Sequence, residues 1–156
     1  MKLRPELIGY WLLAGLVLGI SASQFLVATG NAFAVSGETL IFSLGAIGIL
    51  IYFLTLPILR YRLKVEKQVE PKPKRPNPFL SFRLLVLSRA IVLSGSGFVG
   101  WHIGQLIWLL TFSVSPAALV TPTWFGMASS VLMLVGGLFA EFNCRLPKDP
   151  DGEAVA

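Results

Sequence analysis

Few side chains in this 156-residue chain could do chemistry, and His102 and Gln105 are the first to consider. His102 is the only histidine, and Gln105 follows three residues later, so both polar groups would share one helix face. Inside a membrane, such a pair can relay a proton, contact a ligand or hydrogen-bond a neighbouring helix. We favour interhelical hydrogen bonding, with a proton relay or ligand contact as the alternative.

Arg89 and Glu141 are two charged side chains that lie within or beside the apolar stretches of the chain. An ionisable group in a bilayer is costly and therefore suggests a function or a partner. Arg89 lies early in the third apolar stretch and Glu141 directly follows the fourth, so both fall near the same membrane boundary. We predict an ion pair that joins the third and fourth helices, because no span contains the internal carboxylates of an ion pathway.

No residue pattern in the sequence indicates catalysis. The chain contains no Gly-rich phosphate loop, HExxH, CxxC or GxSxG motif. Its single cysteine, Cys144, cannot form an intrachain disulfide, and we expect a buried or interfacial free thiol, with lipidation as the alternative. The sequence therefore predicts a protein that is not an enzyme and that binds no metal or other cofactor.

The composition indicates a membrane protein. Hydrophobic residues make up 54% of the chain and charged residues only 13%, with a mean hydropathy of +0.73. Soluble domains usually contain about 25% charged residues. A helix needs about 20 apolar residues to cross a bilayer, and the chain offers four such helices, at residues 7–27, 39–59, 78–112 and 122–142.

Helix start signals agree with these stretches. Asn77-Pro78 and Thr121-Pro122 both read as an N-cap followed by proline at the first helical position. Ser36 is predicted to cap the second helix. The predicted fold is all-α, an integral membrane four-helix bundle that forms one domain over residues 1–146.

The distribution of basic residues predicts the orientation. The chain has 13 Lys and Arg residues, yet residues 28–38 and 113–122 contain none. The positive-inside rule therefore places both termini and the central loop in the cytoplasm. Residues 32–34, Ala-Phe-Ala, resemble a signal-peptide cleavage site, and cleavage there would leave three helices. However, the preceding apolar run exceeds the usual signal-peptide core of about 7–15 residues.

The cytoplasmic loop, residues 60–77, is basic and ends in proline-spaced sequence that favours an extended backbone. We interpret it as a solvated linker whose first half can extend the second helix for two turns. Its cations can also contact anionic lipid headgroups, and nucleic-acid binding is not expected. The polar tail, residues 147–156, is expected to be disordered. The residues predicted to contact headgroups are Arg60, Arg62, Lys64, Lys72, Lys74, Arg75 and Arg83.

Small residues at four-residue spacing predict close helix packing in three of the spans. This packing lies either within the bundle or between copies in a homo-oligomer. The residues concerned are Gly15 and Gly19 in the first span, Ser96, Gly100 and Gly104 in the third, and Gly136 and Ala140 in the fourth.

Three segments of the second half carry a family resemblance. They are residues 77–90 (NPFLSFRLLVLSRA), 100–104 (GWHIG) and 141–147 (EFNCRLP). These segments resemble the actinobacterial membrane family called domain of unknown function 3180. The resemblance implies a bacterial plasma membrane and assigns no reaction. The positions that fall on the family's motifs are Arg83, Arg89, Glu141, Cys144 and Arg145, while Asn77 stands where the family usually has an acidic residue.

These features together predict a non-enzymatic membrane protein that acts through helix packing, as an accessory or scaffold protein or as a small homo-oligomer. Its surroundings would be the lipid bilayer, with anionic headgroups at the cytoplasmic face and a membrane protein partner. The alternative is a small transporter or channel component in which His102 and Gln105 line a polar path.

Overall fold

The structure, a computed structural model, describes residues 4–67, 77–111 and 117–144 of the chain. These residues form helices α1 (Pro5–Ala28), α2 (Glu38–Glu66), α3 (Pro78–Leu110) and α4 (Ala117–Asn143). Each helix is long and apolar enough to cross a membrane. The predicted all-α fold with four membrane-spanning helices is therefore confirmed.

Helices α1 and α3 run parallel and touch along their backbones. A Cβ added to Gly15 would collide with the Gly97 carbonyl oxygen, and one added to Gly19 would collide with the Trp101 carbonyl oxygen. Because both residue numbers rise together, the two helices point the same way. Among the described residues, α1 packs only against α3.

Helices α2 and α4 also run parallel to each other, and α4 runs antiparallel to α3. A Cβ added to Gly48 would lie 2.7 Å from the Met133 Cα, and one added to Gly137 would lie 2.9 Å from a methyl carbon of Val92. The helices therefore lie in the spatial order α1, α3, α4, α2, with a minor contact between α2 and α3. Helices α1 and α3 begin at the end where α2 and α4 finish. We call it the basic end, since it carries Arg4, Arg60, Arg62, Lys64, Lys67 and Arg83.

One predicted helix boundary is wrong, and one predicted extension is observed. Helix α2 continues to Glu66, so the first part of segment 60–77 extends it for about two turns, as the sequence analysis expected. Helix α4 begins at Ala117, so Pro122 lies inside the helix and Thr121 is not its N-cap. Proline has no N–H, but this removes only one hydrogen bond near the helix start, where the packing of α4 outweighs the loss.

The two remaining capping predictions have different outcomes. Asn77 caps α3, because its side chain accepts a hydrogen bond from the Phe79 backbone N–H at 3.1 Å. Ser36 does not cap α2: Gly37 is the N-cap residue, and the Ser36 hydroxyl instead meets His102. The predicted partner of Ser36, the start of α2, is therefore wrong, and its partner in the structure is His102.

Several predicted features lie outside the described residues. They are the proline-spaced part of the loop with Lys72, Lys74 and Arg75, the motif residue Arg145, and the tail at 147–156. The proposed cleavage site lies within the described residues, in the connector between α1 and α2.

Candidate functional site

The connector between α1 and α2 lies along the last turns of α3 and contacts it at three successive points. The Phe33 ring stacks on Trp108 at 5.5 Å between centroids. The Ala34 carbonyl and the Ser36 hydroxyl meet Gln105 and His102 at 2.8 Å each. An extended chain rises about 10 Å over three residues, and a helix rises about 9 Å over six, so the contacts stay in register. We call these three contacts the connector clasp.

His102 forms the contact of the connector clasp that lies nearest to α2, and its hydrogen bonds are those of a neutral imidazole protonated on Nδ1. Nδ1 lies 2.8 Å from the Phe98 carbonyl oxygen, which can only accept, so Nδ1 carries the proton. Nε2 then accepts a hydrogen bond from the Ser36 hydroxyl at 2.8 Å. Both ring nitrogens are therefore paired without a positive charge, which suits a histidine that is 0% exposed.

Helix α4 supports the other side of this imidazole. The Ser130 hydroxyl lies 3.0 Å from His102 Nδ1 and donates to the Gly126 carbonyl at 2.7 Å. A Cβ on Gly126 would collide with His102 Nε2, so only glycine leaves room for the ring at this position. His102 thus joins α3, α4 and the connector, which is the kind of interhelical hydrogen bonding that the sequence suggested.

Gln105 holds the neighbouring point of the connector. Its amide nitrogen donates to the Ala34 carbonyl at 2.8 Å, and the side chain is 0% exposed. Its carbonyl oxygen Oε1 has no hydrogen-bond partner within the described part of the chain. His102 and Gln105 share a helix face, as predicted, and both face the connector and its backbone.

The two polar side chains of α3 in the connector clasp are buried. His102 and Gln105 are 0% exposed, and Ser130, Thr123 and Ser96 are equally buried. The connector residues Phe33, Ala34 and Ser36 are half-buried and cover them, so the hydrogen bonds hold the connector in place on α3.

A second polar cluster lies at the basic end, between α3 and α4. Arg89 Nε lies 3.9 Å from Glu141 Oε1, which is at the outer limit of an ion pair. The Glu141 side chain is only 2% exposed, whereas 27% of the Arg89 side chain remains exposed. The carboxylate is therefore the buried member, and the arginine extends from the interface towards the membrane boundary.

Contacts that the sequence did not suggest tie α2 to the end of α4. Arg62 donates from Nη1 to the Phe142 carbonyl at 3.1 Å, and its guanidinium lies 4.7 Å from the centre of the Phe142 ring. Asn143 donates to the Thr55 hydroxyl at 3.4 Å. A cation at a helix C-terminus satisfies a terminal carbonyl, but no sequence spacing links residues 62 and 142 in advance.

The small residues predicted for packing lie at two separate interfaces. Gly15 and Gly19 of α1 meet the backbone of α3, and Gly100 and Gly104 of α3 meet the backbone of α1. A Cβ on Gly136 of α4 would collide with the Gly48 carbonyl of α2, a partner that the sequence analysis did not name. Ser96 and Ala140 are 0% exposed, and the Ser96 hydroxyl donates to the Leu93 carbonyl of its own helix at 2.7 Å.

The structure describes four of the basic residues that were predicted to contact lipid headgroups, and all four lie at the basic end. Arg60, Lys64 and Arg83 are exposed there, and Arg62 is half-buried against α4. No group of three or more His, Cys, Asp or Glu side chains is placed to hold a metal ion in residues 4–67, 77–111 and 117–144.

Cys144, directly after α4, is 5% exposed, and burial raises the pKa of its thiol to about 11. Only about one thiol in a thousand is then ionised at pH 8, and the thiolate is the reactive form. We predict slow alkylation of the native protein by N-ethylmaleimide and fast alkylation after unfolding in SDS. The native rate should keep rising between pH 9 and 11, because the raised pKa moves ionisation upward.

The control for this prediction is a variant that combines Cys144→Ser with Leu63→Cys, which places an exposed thiol at the same end of the molecule. Its alkylation rate should level off near pH 9, as expected for an ordinary thiol. Equal rates for both thiols at pH 8, measured by intact mass, would contradict the burial of Cys144. Such rates would instead favour the alternative raised by the sequence, in which Cys144 is accessible and carries a lipid.

A comparison with known protein families gives a match over most of the chain. The family model described as "Protein of unknown function (DUF3180)" matches residues 9–148. The chain belongs to the DUF3180 family. The match covers α2, α3, α4 and all but the first four residues of α1, so the resemblance noted in the second half of the sequence is confirmed and extends to the first half. No curated protein and no solved structure matches this DUF3180 chain.

The basic end of this DUF3180 protein collects the positions that resemble the family's motifs. Arg89 and Glu141 pair between α3 and α4, Cys144 is buried directly after α4, and Arg83 is exposed on the first turns of α3. The motif positions therefore mark one interface and one end of the molecule.

Proposed function

We propose that this DUF3180 protein is a non-enzymatic accessory or scaffold protein of the bacterial plasma membrane that acts by packing against another membrane protein. The observation that carries the proposal is the arrangement of α1. This helix contacts only α3 among the described residues and buries just Gly15, Gly19 and Ser23. The rest of its apolar surface is free to meet a partner.

The exposed face of α1 supports this proposal. Along two turns it presents Leu13, Val17 and Leu18, which are 57%, 59% and 60% exposed, with Tyr10 and Trp11 one turn nearer the basic end. Helices in membranes associate by van der Waals packing and hydrogen bonds, since lipid is as apolar as the side chains. A helix held by one neighbour can add a second on its opposite face without disturbing the first.

The burial of His102 and Gln105 supports a packing role over transport. The alternative function required a polar path at His102 and Gln105, but both are 0% exposed, and the imidazole nitrogens are paired inside the protein. We therefore interpret these residues as the device that fixes the connector against α3.

The basic end supports the proposed placement in the membrane. Arg60, Lys64 and Arg83 lie exposed at this end, and the positive-inside rule assigns such an end to the cytoplasm. Each cation near an anionic surface contributes about 1 kcal/mol of attraction. On this proposal both termini are cytoplasmic and the basic residues contact anionic headgroups.

Site-specific photocrosslinking in native membranes tests the proposal. With p-benzoylphenylalanine in place of Val17, irradiation should give a discrete protein adduct, either with another membrane protein or with a second copy. The same reporter in place of Leu87, an exposed residue of α3 near the basic end, serves as the matched control and should give a weaker adduct or none.

Two results together would overturn this function. One is the absence of any protein adduct at Val17. The other is solute flux in proteoliposomes that the substitution His102→Ala abolishes, which would establish the transport alternative.

A further inference from the structure

Helices α2 and α4 separate as they approach the end opposite to the basic end. A Cβ on Gly48 would lie 2.7 Å from backbone atoms of α4, whereas one on Gly45, three residues nearer the opposite end, would meet nothing closer than 3.8 Å. Pro122 lies further towards that end, in the second turn of α4, and lines the space between the two helices. The two helices therefore form a V that opens at their first turns.

This V encloses a groove of about 790 Å³. One face of α2 lines it with residues at three- and four-residue spacing, and the facing side is Thr121 to Ser129 of α4. Phe42 and Phe125 line the groove and are 75% and 63% exposed, so it opens sideways towards the bilayer. Gly45 and Ala46 lie at the bottom of the groove, which is deep there because neither residue has a large side chain.

The chemistry of the groove changes along its length. Its inner part is apolar, lined by Ile41 and Ile49. Its mouth carries Glu38, which is the only charged residue in residues 28–38 and 113–122. Glu38 is exposed, and within the described residues no cation pairs with it. The mouth therefore presents a carboxylate at the N-terminus of α2, above an apolar slot and with no cationic side chain paired to it among the described residues.

The length of the groove matches one leaflet. From Glu38 to Ile49 the helix rises about 16 Å, which is close to half of the ~30 Å hydrocarbon core of a bilayer. A transmembrane helix of a partner would need a surface over the whole thickness. An acyl chain that enters from one leaflet fits the shorter slot.

We propose that the groove between α2 and α4 binds one acyl chain of a phospholipid with a primary-amine headgroup, of the phosphatidylethanolamine class, whose ammonium pairs with the Glu38 carboxylate. The apolar slot supplies affinity for the chain through van der Waals contacts with Ile41, Ile49 and the phenylalanine rings. The carboxylate supplies selectivity, since it attracts an ammonium and repels an anionic headgroup.

Native mass spectrometry of the purified, delipidated full-length protein tests this binding with two probes, dioleoyl phosphatidylethanolamine and dioleoyl phosphatidylglycerol. The wild-type protein should retain one phosphatidylethanolamine molecule with about fivefold preference over phosphatidylglycerol. Glu38→Gln keeps the shape of the groove and should remove the preference. Gly45→Leu fills the floor and should weaken binding of both lipids by about tenfold.

Gly9→Leu is the matched control for Gly45→Leu, since Gly9 has no atom within 4 Å of an added Cβ and lies outside the groove. This variant should bind both lipids as the wild-type protein does, and circular dichroism should show that all variants keep their helices. Equal retention of the two lipids by the wild-type protein would overturn the proposal, as would undiminished binding by Gly45→Leu. A wild-type dimer that Gly45→Leu dissociates would also overturn it, because a second copy would then occupy the groove.

Discussion

Gly15→Leu is expected to separate α1 from α3 and to lower the free energy of unfolding by at least about 3 kcal/mol. The reason is the kind of atom that the new side chain meets. A Cβ at residue 15 would collide with the Gly97 carbonyl oxygen and lie 3.0 Å from the Trp101 backbone nitrogen. Backbone atoms of a packed helix cannot rotate away as the end of a side chain can, so the helices themselves must move apart.

The effect should be large because, among the described residues, α1 packs against no helix other than α3. Moving α1 away from Gly15 also breaks the neighbouring contacts of Gly19, Gly100 and Gly104, since all lie on the same interface. Unfolding in mixed micelles with increasing SDS, followed by circular dichroism, measures the change.

The same substitution at Gly9 is the control, because it lies in the same helix with open space around it. Gly9→Leu should change the unfolding free energy by less than about 1 kcal/mol, and in the favourable direction, because leucine is the better helix former. If Gly15→Leu were as stable as Gly9→Leu, the close backbone contact between α1 and α3 would be wrong.

The four spans could be predicted from sequence because hydrocarbon imposes a length and a composition that no other environment requires. The ends of the spans were harder to predict. Helix α2 runs on to Glu66 through charged residues, because helix propensity does not stop at the membrane boundary. Pro122 resembled a helix start, yet α4 begins five residues earlier, at Ala117.

The small residues of the interfaces were visible in the sequence, but their partners were not. Gly15 and Gly100 belong to one interface, whereas Gly136 belongs to another with Gly48. A spacing of four residues shows that a helix has a flat side, but it does not show which neighbour lies there. That choice depends on the packing order α1, α3, α4, α2, which follows from all contacts together.

Only the α3 side of the connector clasp could be predicted from the sequence. His102 and Gln105 stood out as polar residues in an apolar helix. Their partners in the connector did not, because Ala34 contributes a backbone carbonyl and Phe33 an ordinary aromatic ring. Ser36 was recognised, but as a helix cap. A backbone acceptor carries no signal in the sequence, so only the structure assigns these contacts.

His102→Ala is expected to lower the free energy of unfolding by about 2–4 kcal/mol, because it leaves a cavity and an unpaired hydroxyl in an enclosed site. The Ser36 hydroxyl loses its partner Nε2, while Ser130 keeps its bond to the Gly126 carbonyl. The connector should therefore loosen more than α4 does. Hydrogen–deuterium exchange should rise in residues 31–37 and remain unchanged in the middle of α4.

A double-mutant cycle separates the hydrogen bond from the cavity. Ser36→Ala alone should cost about 1 kcal/mol, and its effect should shrink when His102 is already alanine, because the two side chains share one bond. Ser43→Ala is the control, since its exposed hydroxyl donates only to the Leu40 carbonyl of its own helix. Additive effects of Ser36→Ala and His102→Ala, or unchanged exchange in residues 31–37, would show that the imidazole does not hold the connector. The neutral, doubly paired imidazole explains why the substitution should act on this loop: its bond to Ser36 joins the connector directly to α3.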